Sequence, residues 1–172
     1  MNIPPLKKRI REFQLKVRLT NLQHRVDFYP KKILDISKKT LDLEGYKKVS
    51  INIIVVNSNY IRKLNSEFRK RNTPTDVLAF ELKSPFGENG SENFLGDVYI
   101  CADIARERVD SLFKKHPGIL LKGFNLKRLV TNELCLYAVH GILHLIGYED
   151  RTKRLYNRMC KRQEDILKEY GI

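Results

Sequence analysis

Two histidines four residues apart, followed by a glycine and an aspartate, carry the clearest chemistry in this chain: His140-Gly-Ile-Leu-His144-Leu-Ile-Gly147-Tyr-Glu-Asp150. On a helix, residues four apart lie one turn apart on the same face. His140 and His144 would therefore offer two imidazole nitrogens to one ion. Gly147 is placed to end that helix, because glycine adopts the left-handed conformation at little cost. Asp150 follows just past the turn and is the expected third ligand. Three protein ligands leave a position open, which is the pattern of a catalytic rather than a structural zinc site. The plainer alternative is a pair of core histidines bonded to backbone carbonyls. The glycine, the oxygen ligand and the scarcity of histidine (4 in the chain) favour the metal.

The spacing also matches the zincin pattern H-x-x-x-H-x-x-G-x-x-[H/D]. In the protease version a glutamate follows the first histidine and acts as general base. Here that position is Gly141, and with Asp150 taken as a ligand the only nearby candidate for the base by sequence is Glu149. A zincin-type metalloprotease is therefore a weak third reading.

These ligands need a long helix, and residues 126–146 have the apolar content of a central, buried one. Upstream, residues 13–19 alternate apolar and basic side chains as a half-buried strand does. Pro30 opens a helix ending near Gly45, with Ile33, Leu34, Ile36 and Leu41 inward. The β-branched run Val49–Val56 reads as a buried strand. Asn57 or Ser58 caps a short helix to about Phe68, and the basic loop Arg69–Thr75 follows. Strands are expected at 76–82 and 96–101, separated by a Gly-, Pro- and Ser-rich loop over 83–94. A helix over 102–115 ends at His116-Pro-Gly, residues 119–125 connect, and a basic helix spans 152–169 with Leu155, Met159, Ile166 and Leu167 inward. His24 and His116 read as surface histidines. Asp76 and Asp97 read either as carboxylates orienting a histidine or as strand-end caps. Tyr148 closes the pocket, stacks on a base or simply packs.

The chain has 172 residues, 42% hydrophobic and 31% charged, which suits one soluble domain, 1–172, with a basic segment at 1–30. No apolar run is long enough to span a membrane or to form a signal peptide, although a basic N-terminus leaves organellar targeting open. Cys101, Cys135 and Cys160 are odd in number and lack C-x-x-C spacing, so they read as reduced intracellular thiols. A cytoplasmic location is expected. The net charge of +13 is uneven. Residues 1–60 carry 13 Lys/Arg against 5 Asp/Glu, 61–72 carry 5 against 1, and 151–172 carry 7 against 3, whereas 73–150 carry 8 against 11. Strongly basic flanks around a cation site point to a polyanion, above all nucleic acid. The alternative is a lysine-rich solvated surface.

Several motifs, in order, resemble the YbeY endoribonucleases, the single-metal rRNA maturation factors. The family's H-G-x-L-H-L-x-G-Y-D-H run corresponds to His140–Asp150. Its L-N-x-x-[YF]-R corresponds to Leu64–Arg69, P-T-[DN]-V-L-[SA]-F to Pro74–Phe80, L-G-D-[IV] to Leu95–Val98, and E-L-x-x-L-x-x-H-G to Glu133–Gly141. The match runs from about residue 45 to the C-terminus. The chain departs from the family at Asp150, where a histidine is usual, and at Glu149 for aspartate, while Ala79 and Glu81 sit where Ser and Pro are more usual.

The resemblance implies an α/β (α+β) domain with a small mixed sheet of about four strands packed by helices. It implies an endoribonuclease that hydrolyses single-stranded RNA in rRNA processing. The site would hold one divalent ion, zinc foremost, on His140, His144 and Asp150. An Asp ligand also suits harder ions such as manganese or magnesium. Arg69, with His140, would be catalytic, its guanidinium donating to a phosphoryl group; Arg69, Lys70 and Arg71 would contact RNA. Ribosomal RNA and the ribosomal subunit are the expected partners, without membrane or small-molecule cofactor. The rival reading is a non-catalytic RNA-binding ribosome-assembly factor.

Overall fold

The computed structural model describes residues 14–82, 93–115 and 125–172. His116 and most of the 83–94 loop lie outside them. The elements are β1 (Lys16–Asn21), α1 (Pro30–Leu43), β2 (Val49–Val56), α2 (Ser58–Arg69), β3 (Val77–Glu81), β4 (Asn93–Cys101), α3 (Ala102–Lys115), α4 (Leu126–Leu145) and α5 (Lys153–Glu169). The four strands form one sheet in the order β1-β2-β4-β3. β1 and β4 run parallel to β2, and β3 runs antiparallel to β4 as an edge strand. The expected α/β class and four-stranded mixed sheet are both present.

Local chemistry explains the boundaries. Pro30 stands in the first turn of α1, where its missing N–H costs nothing. Asn57 caps α2 by accepting from Tyr60 N–H at 2.8 Å, and Asn125 caps α4 through Arg128 N–H at 3.1 Å. Thr152 caps α5 through Leu155 N–H at 3.3 Å. The strand expected to begin at Gly96 begins at Asn93, because Asn93 and Phe94 pair with Val49 and Ser50 of β2. A register shift follows: Ile51 pairs with Gly96, leaving Leu95 as the extra residue of a bulge. Gly96 has φ +145°, and a Cβ there would stand 2.1 Å from the Phe80 carbonyl oxygen. Only glycine fits so close to β3.

β2 is buried on both faces, as its unbroken β-branched run requires. Ile51, Ile53 and Val55 join Val98 and Ile100 in the main core beneath α1, α3, α4 and α5. Ile54 and Val56 join Ile61, Leu78 and Cys101 in a smaller core beneath α2. α4 is the hub, packing against β3, β4, α1, α3 and α5. Its contact with the sheet is close because residue 141 has no side chain: a Cβ on Gly141 would lie 2.3 Å from Val98 Cγ1 and 3.0 Å from Val77 Cγ2. No helix among the described residues is long and apolar enough to cross a membrane.

Candidate metal centre

His140 and His144 occupy the last turns of α4, and both rings reach the mouth of a pocket. Their Nε2 atoms face each other at 3.1 Å. The Nδ1 atoms are engaged elsewhere: His144 with the Tyr148 carbonyl at 3.0 Å, His140 with Gln163 Oε1 at 3.0 Å. A carbonyl oxygen only accepts, so His144 carries its proton on Nδ1 and turns a lone pair inward. The Gln163 oxygen assigns His140 the same tautomer. In that assignment both Nε2 lone pairs face the same point, where a cation would be accepted.

Asp150 completes the group. α4 stops at Ile146, and Gly147 takes φ +94° just after it. Gly147 N–H donates to the His144 carbonyl at 3.1 Å and Tyr148 N–H to the Leu143 carbonyl at 2.9 Å, closing the helix end. The reversed chain brings Asp150 Oδ2 to 3.9 Å from His144 Nε2. One ligand atom from each of His140, His144 and Asp150 lies within 4.8 Å of the others. Tetrahedral zinc with bonds of about 2.0–2.1 Å separates its ligand atoms by roughly 3.3 Å, so small side-chain adjustments suffice. The donor set of two neutral imidazoles and a carboxylate fits a single divalent ion. The His140 pKa is lowered, by burial first and by the neighbouring His144 second. That keeps the ring in the neutral form a metal needs.

The pocket has a volume of about 720 Å³. Beyond the histidines its walls include Asn65, Arg69, Arg71, Asp76, Glu81, Glu149 and Asp150. Arg69 ends α2 and Arg71 follows it in the loop; neither forms an ion pair among the described residues. Lys70, between them, takes the left-handed conformation (φ 58°) and donates its amine to the Glu67 carbonyl at 3.0 Å. It is not part of the pocket wall, so the structure brings Arg69 and Arg71 to the site and leaves Lys70 outside. The turn is held by Asn65, which is 5% exposed. Asn65 Nδ2 donates to the Thr73 carbonyl at 2.8 Å, and the Asn65 carbonyl accepts from Arg71 N–H at 3.2 Å.

The carboxylates divide. Asp76 lines the pocket, but its Oδ1 accepts from Val77 N–H at 2.9 Å and from the Thr75 hydroxyl at 3.1 Å, so it caps a strand. Asp97 accepts from Asn52 Nδ2 at 2.8 Å. It shares the α2 side of β4 with Tyr99 and does not orient a histidine. The partners the two Nδ1 atoms meet are instead Gln163 and the Tyr148 carbonyl, neither of which sequence reasoning singled out. Tyr148 lines the pocket and is also tied into the fold: its hydroxyl donates to Glu44 Oε2 at 3.2 Å, and Arg158 lies 5.5 Å over its ring. Glu133, whose carboxyl is pushed up by burial, sits 3.5 Å from Arg108 and outside the pocket wall. His24 is exposed. Glu149 pairs with Arg151 at 3.1 Å. With no room for any side chain at position 141, the protease base has no place in this packing.

Residues 14–171 match the family model described as Endoribonuclease YbeY. A protein named Endoribonuclease YbeY from Sulfurovum sp. (strain NBC37-1) is 30% identical over 151 residues, covering 81% of this chain and 92% of its own. One of the same name from onion yellows phytoplasma is 36% identical over 126 residues, covering 73% and 77%. The solution structure of TM1509 from Thermotoga maritima is 26% identical with a TM-score of 0.48, and covers 90% of this chain and 91% of that one.

Proposed function

The chain belongs to the YbeY endoribonuclease family, and on that premise we propose that His140, His144 and Asp150 hold one divalent ion, zinc foremost, at which ribosomal RNA is cut. The enzyme is an endoribonuclease, a hydrolase acting on RNA. The observation that carries the metal assignment is the convergence of both Nε2 atoms at 3.1 Å while both Nδ1 atoms are engaged elsewhere.

When bound, the ion supplies Lewis-acid polarisation of a phosphoryl oxygen and a more acidic water. The chain's own residues do the rest. His140 and His144 present their imidazole Nε2 atoms from one helix face. Asp150 adds a negative charge that offsets part of the ion's charge. Arg69 is the catalytic cation, its guanidinium suited to two parallel hydrogen bonds to a phosphoryl group on which charge builds. Arg71, on the same pocket wall, binds the flanking backbone, and Lys70 adds to the basic field around it. We extend the reading to a single domain over residues 1–172, working in the cytoplasm with the ribosomal subunit as partner. The support for a reducing compartment is compositional: three cysteines, odd in number and without C-x-x-C spacing, of which Cys101 and Cys135 are buried and free.

The test is cleavage of a structured rRNA fragment by wild type, His144→Ala and Asp150→Ala, with and without a chelator. Loss of cutting in both variants and with chelator is the expected result. Undiminished cutting by His144→Ala would sink the metal-site assignment. Salt-sensitive RNA binding without cutting by any sample would favour the assembly-factor role.

A further inference from the structure

His140 and His144 come from α4, but the side chain that orients His140 comes from α5, 23 residues away in sequence. α5 is fixed where it can do this. Arg162 pairs with Glu44 at the end of α1 and also reaches the Leu43 carbonyl at 3.4 Å. Near the far end of α5, Glu169 pairs with Lys39 of α1 at 2.8 Å. Met159, Ile166 and Leu167 are buried in the main core. Gln163, the residue after Arg162, is thereby delivered to His140 Nδ1 at 3.0 Å.

We propose that Gln163 is the positioning residue of the metal site, selecting the Nε2-coordinating tautomer and ring orientation of His140. The proposal rests on the metal reading above. A ligand histidine almost always donates its other ring N–H to a partner, and that partner sets both tautomer and ring angle. His144 has a main-chain carbonyl for this, which is permanent. Among the described residues, the partner of His140 Nδ1 is the side-chain amide of Gln163. An apolar residue there leaves His140 free to rotate, or to carry its proton on Nε2, which blocks coordination. A carboxylate there keeps the acceptor and makes the imidazole a more basic ligand.

The test is zinc affinity, measured by competition with a chromophoric chelator on full-length, metal-stripped protein. The samples are wild type, Gln163→Leu, Gln163→Glu and the control His144→Ala. Gln163→Leu is expected to bind zinc about 10–100-fold more weakly than wild type, the usual cost of losing such a support. Gln163→Glu is expected to bind at least as tightly as wild type. Circular dichroism and melting of the zinc-free proteins check that the fold is intact. Gln163→Leu binding like wild type would overturn the proposal while leaving the metal site standing, and so would Gln163→Glu falling as far as Gln163→Leu. Wild type binding no better than His144→Ala would overturn both. Should Gln163→Leu not fold, long-range nitrogen–proton NMR of the zinc-loaded wild type decides. A proton on His140 Nδ1 with zinc on Nε2 supports the assignment, and the reverse overturns it.

Discussion

Gly141 lies so close to Val98 that a β-carbon added to it would stand 2.3 Å from Val98 Cγ1. This contact sets how closely α4 approaches the sheet, and with it how far the two histidines reach over β3. Gly141→Ala is expected to destabilise the protein by about 1–3 kcal/mol, the usual range for overpacking a core. Denaturant unfolding measures it. Adding Val98→Ala should recover part of the loss, since it removes the atom struck. A Gly141→Ala protein as stable as wild type would show that α4 shifts freely and that the close seating is incidental.

Asp150 stands where the family's usual histidine would, beside His140 and His144 in a group that could hold one ion. Asp150→His is expected to keep zinc binding and RNA cutting. Asp150→Ala should weaken zinc by more than the roughly 10–100-fold that loss of a supporting residue costs. Equal affinities for Asp150→Ala and wild type would remove Asp150 from the coordination sphere.

Burial and His144 together lower the His140 pKa below the ordinary imidazole value of 6.5. The unfolded chain therefore takes up a proton that the folded protein refuses. The His140 contribution is fully present above 6.5 and is lost as pH falls from there toward the lowered folded value. Thermal melting of metal-free protein should show a steeper decline on acidification for wild type than for His140→Gln. Parallel curves would contradict the shift.

Arg71 lines the pocket without an ion pair among the described residues. Its removal in Arg71→Ala should flatten the plot of log affinity against log salt for single-stranded RNA by about 0.7, one phosphate's worth of released counterions. An unchanged slope would place the RNA backbone elsewhere.

Asn65 bridges α2 and the Arg69–Thr75 loop through the Thr73 carbonyl. Asn65→Leu leaves that carbonyl without its partner and is expected to cost about 1–3 kcal/mol. It should also reduce cutting, because the loop carrying Arg71 loses its anchor. Full activity with unchanged stability would show that the loop is held by other means.

How much of this was legible in the sequence depended on how local each feature is. The triad was readable because helix periodicity and one glycine place His140, His144 and Asp150 within a single turn-and-reversal. The caps at Asn57 and the first turn at Pro30 are local in the same sense. Gln163 was not readable, because its meeting with His140 depends on how α5 docks against α1. Asp97 was left ambiguous because the sequence alone did not reveal the bulge at Leu95 or which face of β4 would meet α4. The start of β4 at Asn93 was hidden for a similar reason: Asn93 and Phe94, next to a Gly- and Ser-rich run, became strand because β2 offered them partners. Lys70 looked equivalent to its arginine neighbours until its left-handed backbone turned it away from the pocket.

The two histidines are supported by parts of different kind, and this bears on how the site evolves. His144 leans on the main chain at Tyr148, and no replacement of that side chain deletes a peptide oxygen. His140 leans on an amide that one codon change converts to an acid, a hydrocarbon or nothing. On the proposed metal reading, a substitution at position 163, remote from the signature run, would alter metal affinity without touching a ligand, while the support of His144 is a main-chain atom.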